Sequence, residues 1–460
     1  MELNGKHITV AGLGSTGRAL AYFLLRRGAE VTVSDSAPEK TLSDVPVKLR
    51  QAGAKLELGG HLPRTFEQSD LVVLSPGVPH TIAPVEAARR AGVPVIGEIE
   101  LAARFITTPV VAVTGTNGKS TVTRLIALML EESGLSVFAG GNLGTPLISY
   151  ADGHHEKDVV VAEISSFQLD TVETFHPAVG VLLNITADHL DRYPDLKSYG
   201  QSKAKLFARQ TEDDVAVLNA EDELIMELTR NIRARSCLFN ISSRTECGAR
   251  IERGGICLFT PGGGRVKIEC GDSFPPGRHN LENAAAAALA AFSAGADFES
   301  IGAGLREFVS DPHRMQRVAC INGVDYYDDS KGTNVDAVIR AVEAVQPPVI
   351  LILGGRDKGG GYKDLTEVIQ RRVKAMVLMG EAADSIDREL GGIVETRRAV
   401  SMKEAVARAA ELASAGGTVL FSPACASFDM YENYARRGED FQRAVHSVGK
   451  NRDGKQQGNI

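Results

Sequence analysis

An α/β protein of about three domains, each built on a mostly parallel sheet, is predicted by three observations. The chain has 460 residues, too many for one core at roughly 150 residues per domain. Short apolar strands alternate with helical stretches, the rhythm of βαβ units. Two glycine-rich turns, Gly12–Gly17 and Gly115–Gly118, each lie between an apolar strand and a helix, a place where backbone N–H groups can gather an anion.

In the first domain, residues 1–97, strands are expected at His7–Val10, Val31–Ser34, Leu71–Ser75 and Val93–Ile96, with a helix over Arg18–Arg27. The second, 98–310, opens with the strand Val110–Thr114, continues through Val159–Glu163 and Val179–Asn184, and ends in a helix after Asn283. Within it, Cys247–Cys270 is turn-rich and reads as a small antiparallel excursion. The third, 311–460, has expected strands at Val349–Leu353, Ala375–Met379 and Thr418–Ser422, and helices at Thr333–Val345 and Lys403–Ser414. The polar tail after Val448 is expected to be mobile. No repeat of fixed period is visible, which argues against a solenoid.

Forty-three per cent hydrophobic residues and 47 glycines describe a soluble α/β enzyme, not a disordered or fibrous chain. A formal charge of -7 without a long Lys/Arg run argues against a general grip on nucleic acid, so small molecules are the expected partners. The six cysteines, Cys237, Cys247, Cys257, Cys270, Cys320 and Cys425, form no C-x-x-C pair and match no zinc spacing, so reduced thiols are expected. Met1 leads almost directly into a strand with no basic and apolar leader, and no apolar run is long enough to span a bilayer. A cytoplasmic protein without a membrane partner is expected.

Gly12-Leu13-Gly14-Ser15-Thr16-Gly17, with Asp35 at the end of the next strand, is a dinucleotide fingerprint: glycines for a tight turn, an acid for a ribose or base. Alone it suggests an NAD-dependent oxidoreductase, and it does not say which diphosphate is bound. Thr114-Gly115-Thr116-Asn117-Gly118-Lys119-Ser120-Thr121 offers an anion cradle, with Lys119 placed to reach β/γ-phosphates and Ser120 to hold Mg²⁺. The usual P-loop has a glycine where this chain has Val113. Glu163 closes the next strand and is a plausible Mg²⁺ ligand; His189 follows another strand end, although a lone histidine is as often structural. Tyr199–Lys205 reads, on physical grounds, as an exposed helical face with two lysines.

Together these motifs resemble the Mur ligase family, from Gly12 to about Gly438. The signatures are Gly115–Ser120, Glu163–Gln168, Asn184–His189, Gly277–Asn283, His313-Arg314 and Asp329–Asn334. The resemblance implies a Rossmann-like N-terminal domain for a UDP substrate, a P-loop-type central ATPase domain and a Rossmann-like C-terminal domain for an amino acid. Ser422–Asp429, Tyr434 and Arg437-Gly438 look like the D-glutamate-adding branch, and the Asp-Asn-Pro-Arg signature of the diaminopimelate-adding branch is not found. The implied reaction is ATP-dependent addition of D-glutamate to UDP-N-acetylmuramoyl-L-alanine through an acyl phosphate, in peptidoglycan precursor synthesis, by a monomer.

The resemblance assigns ATP to Gly115, Thr116, Asn117, Gly118, Lys119, Ser120, Thr121, Asn283, Arg314 and Asp329. Two Mg²⁺ ions fall to Ser120, Glu163, His189 and Lys203, the last as a carbamate. The UDP substrate falls to Gly14, Ser15, Thr16, Asp35, Ser36, Ser75, Asn142, Ser165 and Gln168, and D-glutamate to Thr333, Lys358, Ser427, Phe428 and Tyr434. Lys119, His189 and Lys203 are the implied catalytic groups, with His189 a candidate base for the amine. Two other classes stay open: an NAD-dependent oxidoreductase, which leaves the second loop and Glu163 without work, and a non-catalytic nucleotide-binding regulator, which needs no amino-acid pocket. Within the enzyme class, another Mur ligase or a folate-type polyglutamate ligase stays open.

Overall fold

The computed structural model describes residues 1–456 except 143, 154, 155, 191, 244, 272, 273, 276, 310 and 360. Three sheets carry the fold. The first comprises β1 (His7–Ala11), β2 (Glu30–Asp35), β3 (Lys55–Leu58), β4 (Leu71–Leu74) and β5 (Val95–Gly97), in the parallel order β3-β2-β1-β4-β5. The second contains β6 (Val110–Thr114), β7 (Val137–Gly141), β8 (Val159–Glu163), β9 (Val179–Leu182), β10 (Val215–Asn219), β11 (Arg235–Phe239), β12 (Gly248–Glu252), β13 (Gly255–Phe259) and β14 (Arg265–Glu269). Its order is β14-β13-β12-β11-β10-β9-β6-β8-β7. It is parallel from β7 to β12 and antiparallel only at β12–β14, the excursion expected at Cys247–Cys270.

The third sheet holds β15 (Gln316–Ile321), β16 (Val324–Asp328), β17 (Val349–Gly354), β18 (Val373–Met379), β19 (Glu395–Arg398) and β20 (Thr418–Phe421), ordered β15-β16-β20-β17-β18-β19. The hairpin β15–β16 turns through Asn322 and Gly323, both at positive φ. That Asn-Gly pair is the strongest short hairpin signal, and the strand-by-strand reading passed over it. Strands such as β6, β8 and β17 are buried along their whole length, as a parallel sheet covered on both faces requires. The chain divides into two compact units: Met1–Ile185, Gly200–Cys270 and Asn283–Leu305 form one, and Thr186–Tyr199, Gly271–Glu282 and Arg306–Ile460 the other.

Local differences from expectation have local causes. The helix after the second glycine loop begins at Lys119, inside the motif itself, because Gly118 takes a left-handed φ of 87° as its N-cap and lets the loop turn directly into it. The helix expected from Thr333 starts at Val335, since the Asn334 side chain accepts from Ala337 N–H and caps it. The helix expected after Asn283 begins earlier, at Arg278. The last helix, Tyr434–Gln456, carries the polar tail on past Val448; residues 457–460 lie outside those described.

The expectation of six reduced thiols fails at one pair. Leu238 pairs with Gly248 between β11 and β12, which brings the residues just before them, Cys237 and Cys247, to a Cα separation of 4.8 Å and into a disulfide. Neither spacing nor composition could reveal that strand pairing. Among the described residues no helix is long and apolar enough to cross a membrane.

Glu98 is a buried carboxyl at the start of the helix Glu98–Ala103, and burial pushes its pKa up from 4.5 to about 7. One oxygen accepts from Ile148 N–H at 2.7 Å; the other has no partner among the described residues. A raised carboxyl stabilises the fold most below its unfolded value and loses that contribution as pH rises through the folded one. Glu98→Gln is therefore expected to gain on the order of 1–3 kcal/mol relative to the parent between pH 5 and pH 8. Melting curves at both pH values check it; a difference independent of pH would refute the buried-charge account.

Candidate functional site

In the first unit, β6 and β8 are paired in parallel with Val113 opposite Glu163, so the glycine loop and Glu163 lie at the same, C-terminal end of the two strands. The loop lies against its neighbours too closely for side chains: a Cβ on Gly115 would come 2.9 Å from Leu183 Cβ, and one on Gly118 would collide with Asn283 Oδ1. Lys119 Nζ donates to the carbonyls of Gly115 and Thr116, both at 2.9 Å. Lys203 Nζ donates to the same Gly115 carbonyl at 2.9 Å.

The exposed lysine face expected at Tyr199–Lys205 is thereby corrected for one of its two lysines. Lys203 is 1 % exposed, whereas the Lys205 side chain is 44 % exposed and pairs with Asp170 at 3.1 Å. Residues two apart on a helix point about 200° from one another, and only Lys203 reaches the glycine loop.

Glu163 is buried; its Oε1 accepts from Asn142 Nδ2 at 2.7 Å, and Oε2 has no hydrogen-bond partner among the described residues. A buried carboxylate oxygen left open suits a hard cation. Among the described residues no three His, Cys, Asp or Glu side chains converge, so Glu163, the Ser120 hydroxyl and phosphate oxygens would have to hold such an ion, the mixed set Mg²⁺ favours. His189 falls in the other unit. Asn142, assigned to the UDP substrate, also donates its backbone N–H to the Glu163 carbonyl at 2.8 Å, so it orients the acid.

The first glycine turn is built as its motif requires. Gly12 sits at φ 94°, and a Cβ on Gly17 would collide with the Gly12 carbonyl. Asp35 accepts from Leu13 N–H at 2.5 Å and Ala37 N–H at 2.7 Å, and the Ser75 hydroxyl donates to Gly12 O at 3.2 Å. These two side chains hold the turn, while Gly14, Ser15 and Ser36 are exposed and Thr16 is half-buried. Ser165 and Gln168 cap the short helix Ser166–Leu169 with each other's side chains.

The second unit contains a polar cleft lined by Asp188, Thr333, Asn334, Asp357 and Lys358, among others. Lys358 Nζ donates to Asp188 Oδ1 at 3.0 Å and Thr333 Oγ1 at 3.4 Å, and Asn334 Nδ2 donates to Asp188 Oδ2 at 3.2 Å. Burial opposes ionisation of Asp188, but the charges of Lys358 and His189 and these hydrogen bonds hold its carboxyl below the usual 3.8. His189, at φ 55°, donates its backbone N–H to Asp188 Oδ1 at 3.0 Å. Of the residues assigned to D-glutamate, Thr333 and Lys358 line this cleft. Ser427 is buried, Phe428 is 63 % exposed, and none of Ser427, Phe428 and Tyr434 is in its lining.

Asp329 accepts from Ser422 Oγ at 2.7 Å and Met315 N–H at 3.2 Å, and burial raises its pKa from 3.8 to about 7. The Arg314 Nε is buried without a partner among the described residues. Arg437 was named only as part of a signature. It is buried and ties the Ser330 carbonyl and hydroxyl to the carbonyls of Cys425 and Ala426. Asp188 and Asn334 were likewise given no role; Asp188 lies 146 positions from Asn334 and 170 from Lys358 in the sequence.

A glycine loop with an open acid on the adjacent strand in one unit, and a polar cleft with a lysine in the other, give an α/β protein with a candidate anion site and a candidate small-molecule cleft. The chain belongs to the Mur ligase family. Residues 6–97 match the Mur ligase MurD-like N-terminal domain, 113–291 the Mur ligase middle domain and 313–425 the Mur ligase glutamate ligase domain. A UDP-N-acetylmuramoylalanine--D-glutamate ligase of Desulfosudis oleivorans is 50 % identical over 97 % of this chain and 98 % of its own. One from Desulfatibacillum aliphaticivorans is 49 % identical over 97 % of this chain and 100 % of its own. Among solved structures, a pseudomurein peptide ligase type C from Methanothermus fervidus matches in fold with a TM-score of 0.60 at 21 % identity, covering 96 % of this chain and 100 % of that one.

Proposed function

We propose that this protein is an ATP-dependent ligase that joins D-glutamate to UDP-N-acetylmuramoyl-L-alanine in cytoplasmic peptidoglycan precursor synthesis. The observation that carries the reading is the near-complete coverage, at 50 % identity, of a relative with that name, together with the pairing of Val113 with Glu163, which puts the glycine loop and the acid at the same end of two neighbouring strands. The other two classes lose their ground, since Mur ligase family models match 6–97, 113–291 and 313–425 of this one chain.

A carboxylate does not acylate an amine in water because its oxygen is a poor leaving group. In the proposed reaction the alanyl carboxylate oxygen attacks the γ-phosphorus of ATP and ADP departs. The D-glutamate nitrogen then attacks the carbonyl of the acyl phosphate, phosphate leaves with the electron pair of the broken C–O bond, and the amine gives up a proton. Lys119 neutralises charge on the transferred phosphoryl group, aided by the loop's backbone N–H groups. Bound Mg²⁺, as two ions, would draw charge from the phosphate oxygens; Ser120 and Glu163 would hold the first, and Glu163, His189 and carbamylated Lys203 would hold or organise the second.

Gly115–Thr121, Asn283, Arg314 and Asp329 form the ATP set. Gly14, Ser15, Thr16, Asp35, Ser36, Ser75, Asn142, Ser165 and Gln168 form the UDP-substrate set. Thr333, Lys358, Ser427, Phe428 and Tyr434 form the D-glutamate set. The proposed domains are 1–97, 98–310 and 311–460, and the enzyme is proposed to act as a monomer. Phosphate release screened across amino acids and UDP-muramoyl acceptors tests the substrate pair, and turnover with a different pair alone would overturn it.

Lys203 offers a sharper test. Its inward position supports a carbamate, because an ammonium there would repel a cation that a carbamate would favour. Bicarbonate in the buffer is expected to raise activity, and a map of the nucleotide-and-metal complex should show three extra atoms on Nζ. An unmodified ammonium in that complex would sink the assignment.

A further inference from the structure

One side chain that the reading above gives no task holds the phosphate loop from outside. Asn184 follows β9 and is 8 % exposed. Its Oδ1 accepts from the Asn117 N–H at 2.8 Å, and its Nδ2 donates to the Asn117 carbonyl at 3.1 Å. The Asn184 backbone carbonyl accepts from Thr116 N–H at 2.9 Å, and Leu183 N–H donates to the Thr114 carbonyl at 3.1 Å. The β6–β9 ladder thus continues past the ends of both strands. Where the chains diverge, a carboxamide takes over, pairing with both backbone groups of one loop residue as a neighbouring strand would.

Two more buried carboxamides stand behind it. Asn219 Nδ2 donates to the Leu183 carbonyl at 3.1 Å, and Asn219 Oδ1 accepts from Asn240 Nδ2 at 3.0 Å. The 183–184 segment is therefore fixed from the side opposite the loop, so Asn184 can impose its geometry on Asn117. Of the ordinary side chains at this reach, only asparagine offers a donor and an acceptor in the arrangement of a peptide group. Alanine offers neither, and aspartate accepts but does not donate.

We propose that Asn184 is a positioning residue for ATP, which fixes the Asn117 peptide leading into left-handed Gly118 and so sets the course of the backbone at the helix start before nucleotide arrives. This rests on the reading of Gly115–Thr121 as the ATP loop. A preorganised anion cradle binds without paying to order itself, so loss of the clamp falls on nucleotide affinity.

The test is calorimetric binding of a non-hydrolysable ATP analogue with Mg²⁺ to the full-length protein, its Asn184→Ala and Asn184→Asp variants, with KM values for ATP and D-glutamate alongside. Asn184→Ala is expected to weaken the analogue and raise the ATP KM roughly tenfold, the worth of two net hydrogen bonds, with the D-glutamate KM within about twofold. Asn184→Asp keeps the acceptor for the Asn117 N–H but loses the donor to its carbonyl and stays ionised at neutral pH, so it too should weaken the analogue and raise the ATP KM without moving the D-glutamate KM; a merely structural role moves both KM values alike. If Asn184→Ala does not fold, the isosteric Asn184→Asp decides alone. Unchanged analogue binding in both variants, or an equal rise of both KM values, overturns the proposal while leaving the ATP loop in place. A parent protein that binds no analogue overturns the loop reading, and this proposal with it.

Discussion

Lys119→Ala is expected to lower turnover about 10²- to 10³-fold, the size of effect seen when one preorganised donor is removed from developing transition-state charge. The protein should remain folded. Lys119 Nζ bonds the carbonyls of Gly115 and Thr116, and the Gly115 carbonyl keeps a second donor in Lys203. The structural loss is therefore about one net hydrogen bond, near 1 kcal/mol, whereas the catalytic loss is the cation beside the transferred phosphoryl group. ADP release and thermal unfolding measured on one preparation separate the two. A folded variant with near-normal turnover would mean that the loop is not the ATP site.

The parts of this site that could be read from the sequence are those held by local chain geometry. Val110–Thr114 is an apolar run ending on a glycine loop, and Val159–Glu163 an apolar run ending on an acid; both strands have those bounds. A parallel sheet with these loops at the carboxyl ends of its strands follows from them. What stayed hidden depends on which strands become neighbours. The clamp of Asn184 on Asn117 exists because β9 lies beside β6, the Cys237–Cys247 disulfide because β11 lies beside β12, and the Asn142–Glu163 bond because β7 lies beside β8. Family resemblance pointed to Lys203 where residue physics saw a solvated face; its burial goes with a bond to the carbonyl of Gly115, 88 positions away in the sequence. The Asp35 carboxylate illustrates a subtler limit. The motif reserves it for a ligand, yet both its oxygens already accept backbone N–H groups of the first turn and its flank.

Lys358→Ala is expected to raise the KM for D-glutamate about 10- to 100-fold while moving that for ATP by less than about twofold, since a carboxylate deprived of its cation forfeits a charged hydrogen bond of about 1.5–3 kcal/mol. The substitution has a second consequence within the same cleft. Lys358 lies 3.0 Å from Asp188, whose side chain is 10 % exposed, and helps to hold that carboxyl below 3.8. A depressed carboxyl contributes stability above its unfolded pKa and loses it as pH falls through the folded one. Removing the ammonium should therefore lower the melting temperature at pH 7, and the difference from the parent should shrink as pH is taken below about 4. Asp188→Asn serves as the control: it removes the buried carboxylate and leaves Lys358 to meet the substrate, so its stability should vary less with pH than that of Lys358→Ala. L-Glutamate should give no detectable phosphate release with the parent enzyme. Equal use of both enantiomers, or a Lys358→Ala effect shared equally by ATP and the amino acid, would remove the cleft from the amino-acid site.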